Sequence, residues 1–207
     1  MKNIGILGST GSVGTQSLDV IRDNKDKFNV VFLSAHSNID LLLKQAREFK
    51  PQFLAISNDQ IKKESIHTFD GIKTLYGRSG ILELCQNNDC DVILNAIVGY
   101  SGLEPTLEII NSGIDLALAN KESIVQAGHL VMNLAKEKKV NIFPVDSEHS
   151  AIWQCLIGEN KFTIKNLILT ASGGPFRETP IDQFSNITKK QALNHPNWTM
   201  GNKITID

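Results

Sequence analysis

The sequence predicts an α/β fold: a doubly wound, mostly parallel sheet with helices on both faces, followed by the opening part of an α+β unit. Three observations lead there. Short β-branched runs alternate with longer amphipathic stretches through the first two thirds of the chain, and parallel strands joined by crossover helices leave that pattern. A glycine-rich turn, Gly8-Ser9-Thr10-Gly11-Ser12-Val13-Gly14, lies between the first apolar run and the first amphipathic one. After about residue 146 the alternation breaks down.

Taken in order, the first strand is expected over 3–7, ended by Gly8, and is followed by a helix over 13–23. A strand over 30–34 leads to a helix over 38–49, in which Leu42, Ala46 and Phe49 recur at helical spacing while Lys44, Arg47 and Glu48 occupy the wet face. Gln45 interrupts that stripe. Further strands are expected over 53–56, 92–95, 116–118 and 141–145, with helices over 59–65, 79–85, 102–112 and 122–138 between them. Beyond the break come a helix over 150–157, a strand-like run over 164–170, the loop Ser172-Gly173-Gly174-Pro175, short helices near Thr179-Pro180 and over 189–194, an aperiodic loop over 195–201 and a strand-like run over 202–206. The expected domains are 1–146, a dinucleotide-binding unit, and 147–207, the first part of a second, incomplete unit.

Composition narrows the function classes. The 207 residues carry 21 Lys+Arg against 22 Asp+Glu, 41% hydrophobic and 21% charged residues, ordinary values for a globular protein. A domain of this size buries about 70% of the surface its unfolded chain exposes, so it needs no disulfide or metal to fold. The near-neutral balance argues against a general binder of nucleic acid or membrane surfaces. No apolar run reaches the length of a membrane span, and the short N-terminal run does not make a signal peptide. Three cysteines, Cys85, Cys90 and Cys155, suit free thiols in a reducing cytoplasm. Without a secretory signal, the glycosylation-like patterns at Asn186 and Asn197 are read as chance.

The glycine turn carries the clearest chemistry. A strand, then glycines, then a helix is the arrangement of a Rossmann-like dinucleotide site. Gly8 permits the tight turn, Gly11 lets the backbone approach a pyrophosphate, and Gly14 allows close helix–sheet packing. The helix start supplies free N–H groups and the positive end of its dipole. The second strand ends Ser34-Ala35-His36-Ser37-Asn38 with no acid before Asp40. Enzymes that use NAD place Asp or Glu there for the ribose hydroxyl. Ser37, Asn38 and a protonated His36 instead suit a 2′-phosphate, which favours NADP; Ser37 or Asn38 also serves as a helix cap.

Asp146-Ser147-Glu148-His149 leaves the strand over 141–145. Two hard oxygen donors at i and i+2 suit Mg²⁺ or Mn²⁺, although from the residues alone a helix cap at Asp146 and a first-turn acid at Glu148 are the simpler reading. Asn120-Lys121-Glu122-Ser123 likewise follows a strand, where Lys121 can polarise an oxygen or simply be a solvated helix start. His195, Trp198 and Met200 lie on a loop that suits either a lid or an anchor on the core.

In one order, Gly8–Gly14, Ala119-Asn120-Lys121-Glu122-Ser123, Pro144-Val145-Asp146-Ser147-Glu148-His149, Ser172-Gly173-Gly174-Pro175-Phe176-Arg177-Glu178 and His195-Pro196-Asn197-Trp198-Thr199-Met200-Gly201 resemble the 1-deoxy-D-xylulose 5-phosphate reductoisomerases over nearly the whole chain. That resemblance implies an NADPH-dependent oxidoreductase and isomerase of the non-mevalonate isoprenoid pathway. It would bind NADPH through Gly8, Thr10, Gly11, Ser12 and Val13, through His36, Ser37 and Asn38, and through Asn120 and Glu122. It implies a divalent cation (Mn²⁺ or Mg²⁺, with Co²⁺ as a third option) on Asp146 and Glu148, and a sugar phosphate contacted by Lys121, Ser147, Glu148, Ser172, His195, Trp198 and Met200. Lys121, Glu122, Asp146 and Glu148 would carry the catalysis. It also implies a cytoplasmic protein, a homodimer at full length, with neither nucleic acid nor membrane as partner.

Two departures stand out. The family often has Gly and then Lys or another donor where this chain has His36-Ser37. The family also continues past the equivalent of Asp207 with a segment that supplies a third carboxylate for the metal and an Asn and a Lys for the substrate phosphate. The 207 residues are therefore expected to bind NADPH and turn over little or no substrate. Two rivals are weighed: an aspartate-semialdehyde-dehydrogenase-like enzyme, which needs a nucleophilic Cys, and a non-enzymatic NADP-sensing module, which needs no metal.

Overall fold

The computed structural model describes residues 1–61, 68–69, 71–87, 89–171 and 173–195. The chain divides into two units, Met1–Trp153 and Gln154–Asp207.

As far as Cys155 the chain alternates strand and helix: β1 (Lys2–Leu7), α1 (Ser12–Asp23), β2 (Phe28–Ala35), α2 (Ile39–Phe49), β3 (Phe53–Ile56), β4 (Thr68–Phe69), β5 (Ile72–Tyr76), α3 (Gly77–Cys85), β6 (Val92–Asn95), α4 (Leu103–Asn111), β7 (Asp115–Leu118), α5 (Lys121–Lys138), β8 (Ile142–Pro144) and α6 (Ser147–Cys155). The strands form one sheet in the order β4-β5-β3-β2-β1-β6-β7-β8. All are parallel except the edge strand β4, which pairs antiparallel with β5. The order reverses between β1 and β6. Ligands of open α/β sheets bind at such a reversal, beyond the carboxyl ends of the strands.

Period-two side chains divide the core between the faces. Ile6, Leu33, Leu54 and Ile56 pack with Leu18 and Ile21 of α1 and Leu42 and Ala46 of α2. Leu7, Phe32, Ala55, Ile93 and Leu116 pack with Ile81 and Leu84 of α3, Ile109 and Ile110 of α4, and Val131 and Ala135 of α5. Strands covered on both faces need near-continuous apolar runs, which is why Val30-Val31-Phe32-Leu33 is read so easily.

Gly5 has a packing reason. It pairs with Phe32 across β1 and β2, and a Cβ there would lie 2.2 Å from the Phe32 ring. Gly5→Ala is expected to cost about 1–3 kcal/mol through overpacking. Phe32→Leu in the Gly5→Ala background should restore part of that loss in urea unfolding. A Gly5→Ala midpoint equal to wild type would contradict this contact.

Several expectations change. The strand β5 and its partner β4 were absent from the sequence reading, although Asp70-Gly71 is a hairpin dipeptide and Ile72–Tyr76 lies between Gly71 and Gly77. The helix expected over 102–112 opens as a 3₁₀ turn, Tyr100–Gly102, before α4. The helix expected from 150 begins at Ser147, because the Asp146 carboxylate accepts the His149 amide at 3.3 Å and so caps an earlier start. Asp59 and Gln60 lie in a turn, and residues 62–65 of the helix expected over 59–65 fall outside the described residues.

The second unit holds two 3₁₀ turns, Lys161–Thr163 and Ile181–Asn186, and α7 (Lys189–Ala192). Thr188 and Gln191 close a capping box on α7. The strand expected over 164–170 is not formed. Leu167, Ile168 and Leu169 stay exposed, and no described strand pairs with this run. Without a neighbouring ladder the backbone groups of an apolar run gain nothing from extension. The strand-like run over 202–206 lies outside the described residues.

Candidate active site

The glycine turn leaves β1 with its backbone locked to the neighbouring strand. Gly8 N donates to Ser34 Oγ at 3.0 Å and Ser9 N to Ser34 O at 2.8 Å. Buried Ser9 and Gln45 bond twice, Ser9 Oγ to Gln45 Oε1 at 2.8 Å and Gln45 Nε2 to Ser9 O at 2.9 Å. Gln45 breaks the apolar stripe of α2 because its amide ties that helix to the turn. Sequence reading missed Ser34 and Gln45 as supports of the site; the polar residue within an otherwise apolar face was the one available sign.

Each glycine does different work. Gly8 sits at φ +79, a conformation that L side chains rarely adopt. At Gly14 a Cβ would lie 2.3 Å from Gly8 O and 2.6 Å from Ser9 Cα, so backbone fills its space. Gly11 is exposed, and a Cβ there meets only Gly8 O at 3.4 Å. Gly11 is also the N-cap of α1, extended and with no side-chain cap. The first N–H groups of α1 therefore have no capping side chain, as anion binding requires. Thr10, Ser12 and Val13 lie on this turn and the first residues of α1, with Ser12 exposed.

At the carboxyl end of β2, His36, Ser37 and Asn38 are all exposed. Asn38 caps α2, its side chain accepting from Leu41 N at 3.2 Å. His36 Nδ1 lies 3.0 Å from Ser57 Oγ at the end of β3.

A buried polar network holds the loop after β6. Asn120, 1% exposed, donates through Nδ2 to Ile97 O at 2.7 Å and Gly99 O at 2.9 Å. Its Oδ1 caps α5 by accepting from Ser123 N at 3.0 Å, and also meets Ser123 Oγ. Glu122 Oε1 accepts from Gly99 N at 3.1 Å, and its Oε2 from Asn120 Nδ2 at 3.2 Å. Behind them, Asn95 Nδ2 reaches Gly102 O and Thr106 Oγ1, both at 2.9 Å, and Thr106 Oγ1 donates to Ser123 Oγ at 3.1 Å. Asn95, Thr106 and Ser123 had no role in the sequence reading, since nothing local shows that they converge. Asn120→Ala would leave two loop carbonyls and the Ser123 amide without this partner. It is expected to cost about 2–4 kcal/mol, measured as a lowered urea midpoint; an unchanged midpoint would show that the loop is held otherwise.

Lys121 opens α5, half exposed, with Nζ 3.6 Å from Asp146 Oδ2. The fold thus joins residues that follow β7 and β8. Asp146 Oδ1 lies 2.5 Å from His149 Nδ1, and Glu148 Oε2 accepts from Ser147 Oγ at 2.7 Å. Partial burial would raise the Asp146 carboxyl, but hydrogen bonds from the His149 ring and amide, with the charges of His149 and Lys121, outweigh it and hold the group below its ordinary value. Asp146 is then an ionised oxygen donor at neutral pH. Among the described residues no group of three or more His, Cys, Asp or Glu converges as a metal site. Asp146 and Glu148 offer a two-carboxylate, all-oxygen set, which fits a hard divalent ion that completes its shell elsewhere.

Of the other expected site residues, His195 is half-buried in the second unit, and Ser172, Trp198 and Met200 lie outside the described residues. The cysteines do not favour the dehydrogenase rival. Burial pushes the Cys85 thiol well up and the Cys90 thiol up to about 12. Exposed Cys155 is the last residue of α6.

Comparison with known families settles the kinship. The family profile described as 1-deoxy-D-xylulose 5-phosphate reductoisomerase matches residues 4–128, and the profile of that enzyme's C-terminal domain matches 142–207. The chain belongs to the 1-deoxy-D-xylulose 5-phosphate reductoisomerase family. The reductoisomerase of Lachnospira eligens is 50% identical over 210 residues, covering 100% of this chain and 55% of that protein. That of Bacillus cereus strain Q1 is 47% identical over 207 residues, 100% of this chain and 54% of that protein. A solved reductoisomerase in complex with NADPH, fosmidomycin and magnesium superposes with a TM-score of 0.91 at 40% identity, over 100% of this chain and 54% of that one. The Zymomonas mobilis enzyme in complex with NADPH gives 0.86 at 34% identity, over 94% and 52%. The chain spans about half the length of the reductoisomerases it matches. The family shares the expected Rossmann-like α/β sheet, here with seven parallel strands.

Proposed function

We propose that the protein works as an NADPH-dependent reductoisomerase, converting 1-deoxy-D-xylulose 5-phosphate to 2-C-methyl-D-erythritol 4-phosphate in isoprenoid biosynthesis. The observation that carries this reading is the pairing, at one end of a single sheet, of an uncapped glycine turn with a lysine–carboxylate cluster in a chain of this family. NADPH would supply the hydride, and a divalent ion would supply charge stabilisation for a retro-aldol/aldol rearrangement of a hydroxy-ketone.

The protein's own residues have the following parts. The first N–H groups of α1 bind the pyrophosphate, with Thr10, Gly11, Ser12 and Val13 against it. His36, Ser37 and Asn38 surround the 2′-phosphate. Asp146 and Glu148 would hold the ion. Lys121 Nζ, 3.6 Å from Asp146 Oδ2, donates to a substrate hydroxyl, while Ser147 orients a second one. Asn120 and Glu122 keep the 97–102 loop in place beside the cofactor, and Ser172, His195, Trp198 and Met200 are assigned to the substrate by the family resemblance alone. The protein is a homodimer at full length and cytoplasmic, with 1–146 as the NADPH unit and 147–207 as the start of the catalytic unit.

The test is NADPH oxidation by full-length protein with the sugar phosphate and Mn²⁺. Turnover that requires both the ion and the substrate, and that a phosphonate hydroxamate inhibits, supports the reading. Tight NADPH binding with no turnover under any divalent ion would instead favour the NADP-sensing module.

A further inference from the structure

We infer that His36 and Ser57 act as one unit that reads the cofactor's 2′-phosphate, His36 as the donor and Ser57 as the residue that positions it; this rests on the dinucleotide reading above. Ser57 directly follows β3, a strand the glycine turn and its helix do not touch in sequence, and nothing local marks it as part of a cofactor site.

The strand ends bring the two together. Ser57 N donates to Ala35 O at 3.0 Å, closing the last rung between β2 and β3. One residue beyond that rung, His36 Nδ1 stands 3.0 Å from Ser57 Oγ. His36 is therefore held by a neighbouring strand even though the residue is exposed.

The chemistry follows from the ring. If the serine hydroxyl donates to Nδ1, the neutral ring carries its proton on Nε2. If the ring is protonated, Nδ1–H donates to Oγ and Nε2 still carries a proton. Both arrangements leave an N–H on Nε2 for an anionic oxygen. The remaining one, neutral with the proton on Nδ1, turns a lone pair toward the anion, so phosphate binding selects against it. Ser57 Oγ donates or accepts as the ring requires, so it holds the ring's orientation while the phosphate selects a form with Nε2–H.

Local charge makes the pair matter. In 35–43 and 57–61, the segments leaving β2 and β3, His36 is the one basic side chain, while Asp40 and Asp59 are acidic. Asn38 has its side-chain oxygen committed to capping α2. A 2′-phosphate at this strand end finds in these segments no basic side chain but His36, and two carboxylates to repel it, with Lys44 and Lys62 the next basic residues along the two segments. A cofactor without that phosphate needs neither His36 nor Ser57.

The readout is the ratio of the dissociation constants for NADH and NADPH, measured by calorimetry on the chain and its variants. His36→Gln should lower that ratio about tenfold, since it removes a charge-assisted hydrogen bond. Ser57→Ala should lower it about threefold, and Ser57→Thr, which keeps the hydroxyl, should retain it. In the double variant the ratio should fall no further than in His36→Gln alone, the mark of a residue that acts through another. His36→Lys should hold the ratio even with Ser57→Ala, because a lysine needs no ring partner. Fully additive losses, or a wild-type ratio in Ser57→Ala, would overturn the positioning role. A wild-type ratio in His36→Gln would overturn the pair while leaving the dinucleotide site standing. Failure of the unaltered chain to bind either dinucleotide would overturn both.

Discussion

Gly11→Val is expected to weaken NADPH binding at least about a hundredfold while the protein stays folded, with its thermal midpoint within about 3 °C of wild type. The two halves of that result have separate causes. Gly11 has φ −78 and ψ 174, extended backbone that valine adopts readily. A Cβ there meets only Gly8 O at 3.4 Å, an ordinary contact. The protein leaves room for a Cβ here, so the ligand is what a branched side chain chiefly obstructs. A branched side chain at the N-cap of α1 stands where the pyrophosphate must approach the free N–H groups. Gly14→Ala gives the contrasting control. Its Cβ would press into the backbone of Gly8 and Ser9 at 2.3 and 2.6 Å, so it should lower the melting midpoint as well as binding. Calorimetric titration with NADPH, run beside thermal unfolding, separates the two variants. Undiminished affinity in Gly11→Val would remove the pyrophosphate from this turn.

The second large effect concerns the carboxylates. Asp146→Asn in full-length protein is expected to weaken Mn²⁺ binding and lower turnover at least about a hundredfold each, since the ion loses an ionised ligand. The variant keeps the shape of the side chain, and its amide oxygen can still accept the His149 N–H that caps α6 at 3.3 Å. Folding should therefore be preserved, and a circular dichroism melt checks it. Glu148→Gln should behave likewise, whereas His149→Ala should lose less, because it takes away a partner of Asp146 and no proposed ligand. Mn²⁺ binding in Asp146→Asn equal to wild type would leave Asp146 as a helix cap and nothing more.

The cap and the ligand are compatible at Asp146. From the residues alone the cap was the simpler reading, and the structure shows that cap together with a nearby lysine, surroundings that favour the charged carboxylate. Sequence spacing cannot separate these roles, because an acid leaving a strand and opening a helix satisfies both. Lys121 and Asp146 are brought together only by the pairing of β7 with β8, which aligns Leu118 with Pro144.

Much of the sheet was legible because its strands are buried on both faces and so read as short apolar runs between amphipathic helices. The glycine turn was legible because one residue type is forced at Gly8 by a positive φ and at Gly14 by the backbone of its neighbours. The β4–β5 hairpin was passed over because its strands are short and only partly apolar. The run over 164–170 misled for the opposite reason: it has the composition of a strand, but strand formation depends on a partner that composition does not reveal.

By itself the sequence determined the class of the fold, the position of the glycine turn and the kinship of the chain. These follow from local rules: hydrophobic period, glycine conformation and ordered short motifs. Tertiary structure alone decided what supports them. Gln45 holds Ser9, Ser57 meets His36, and Asn95 reaches Thr106 and Thr106 reaches Ser123, each across gaps that no periodicity spans. A hydrogen bond between distant residues depends on where strand order and crossover helices set them down, and only the folded sheet contains that information.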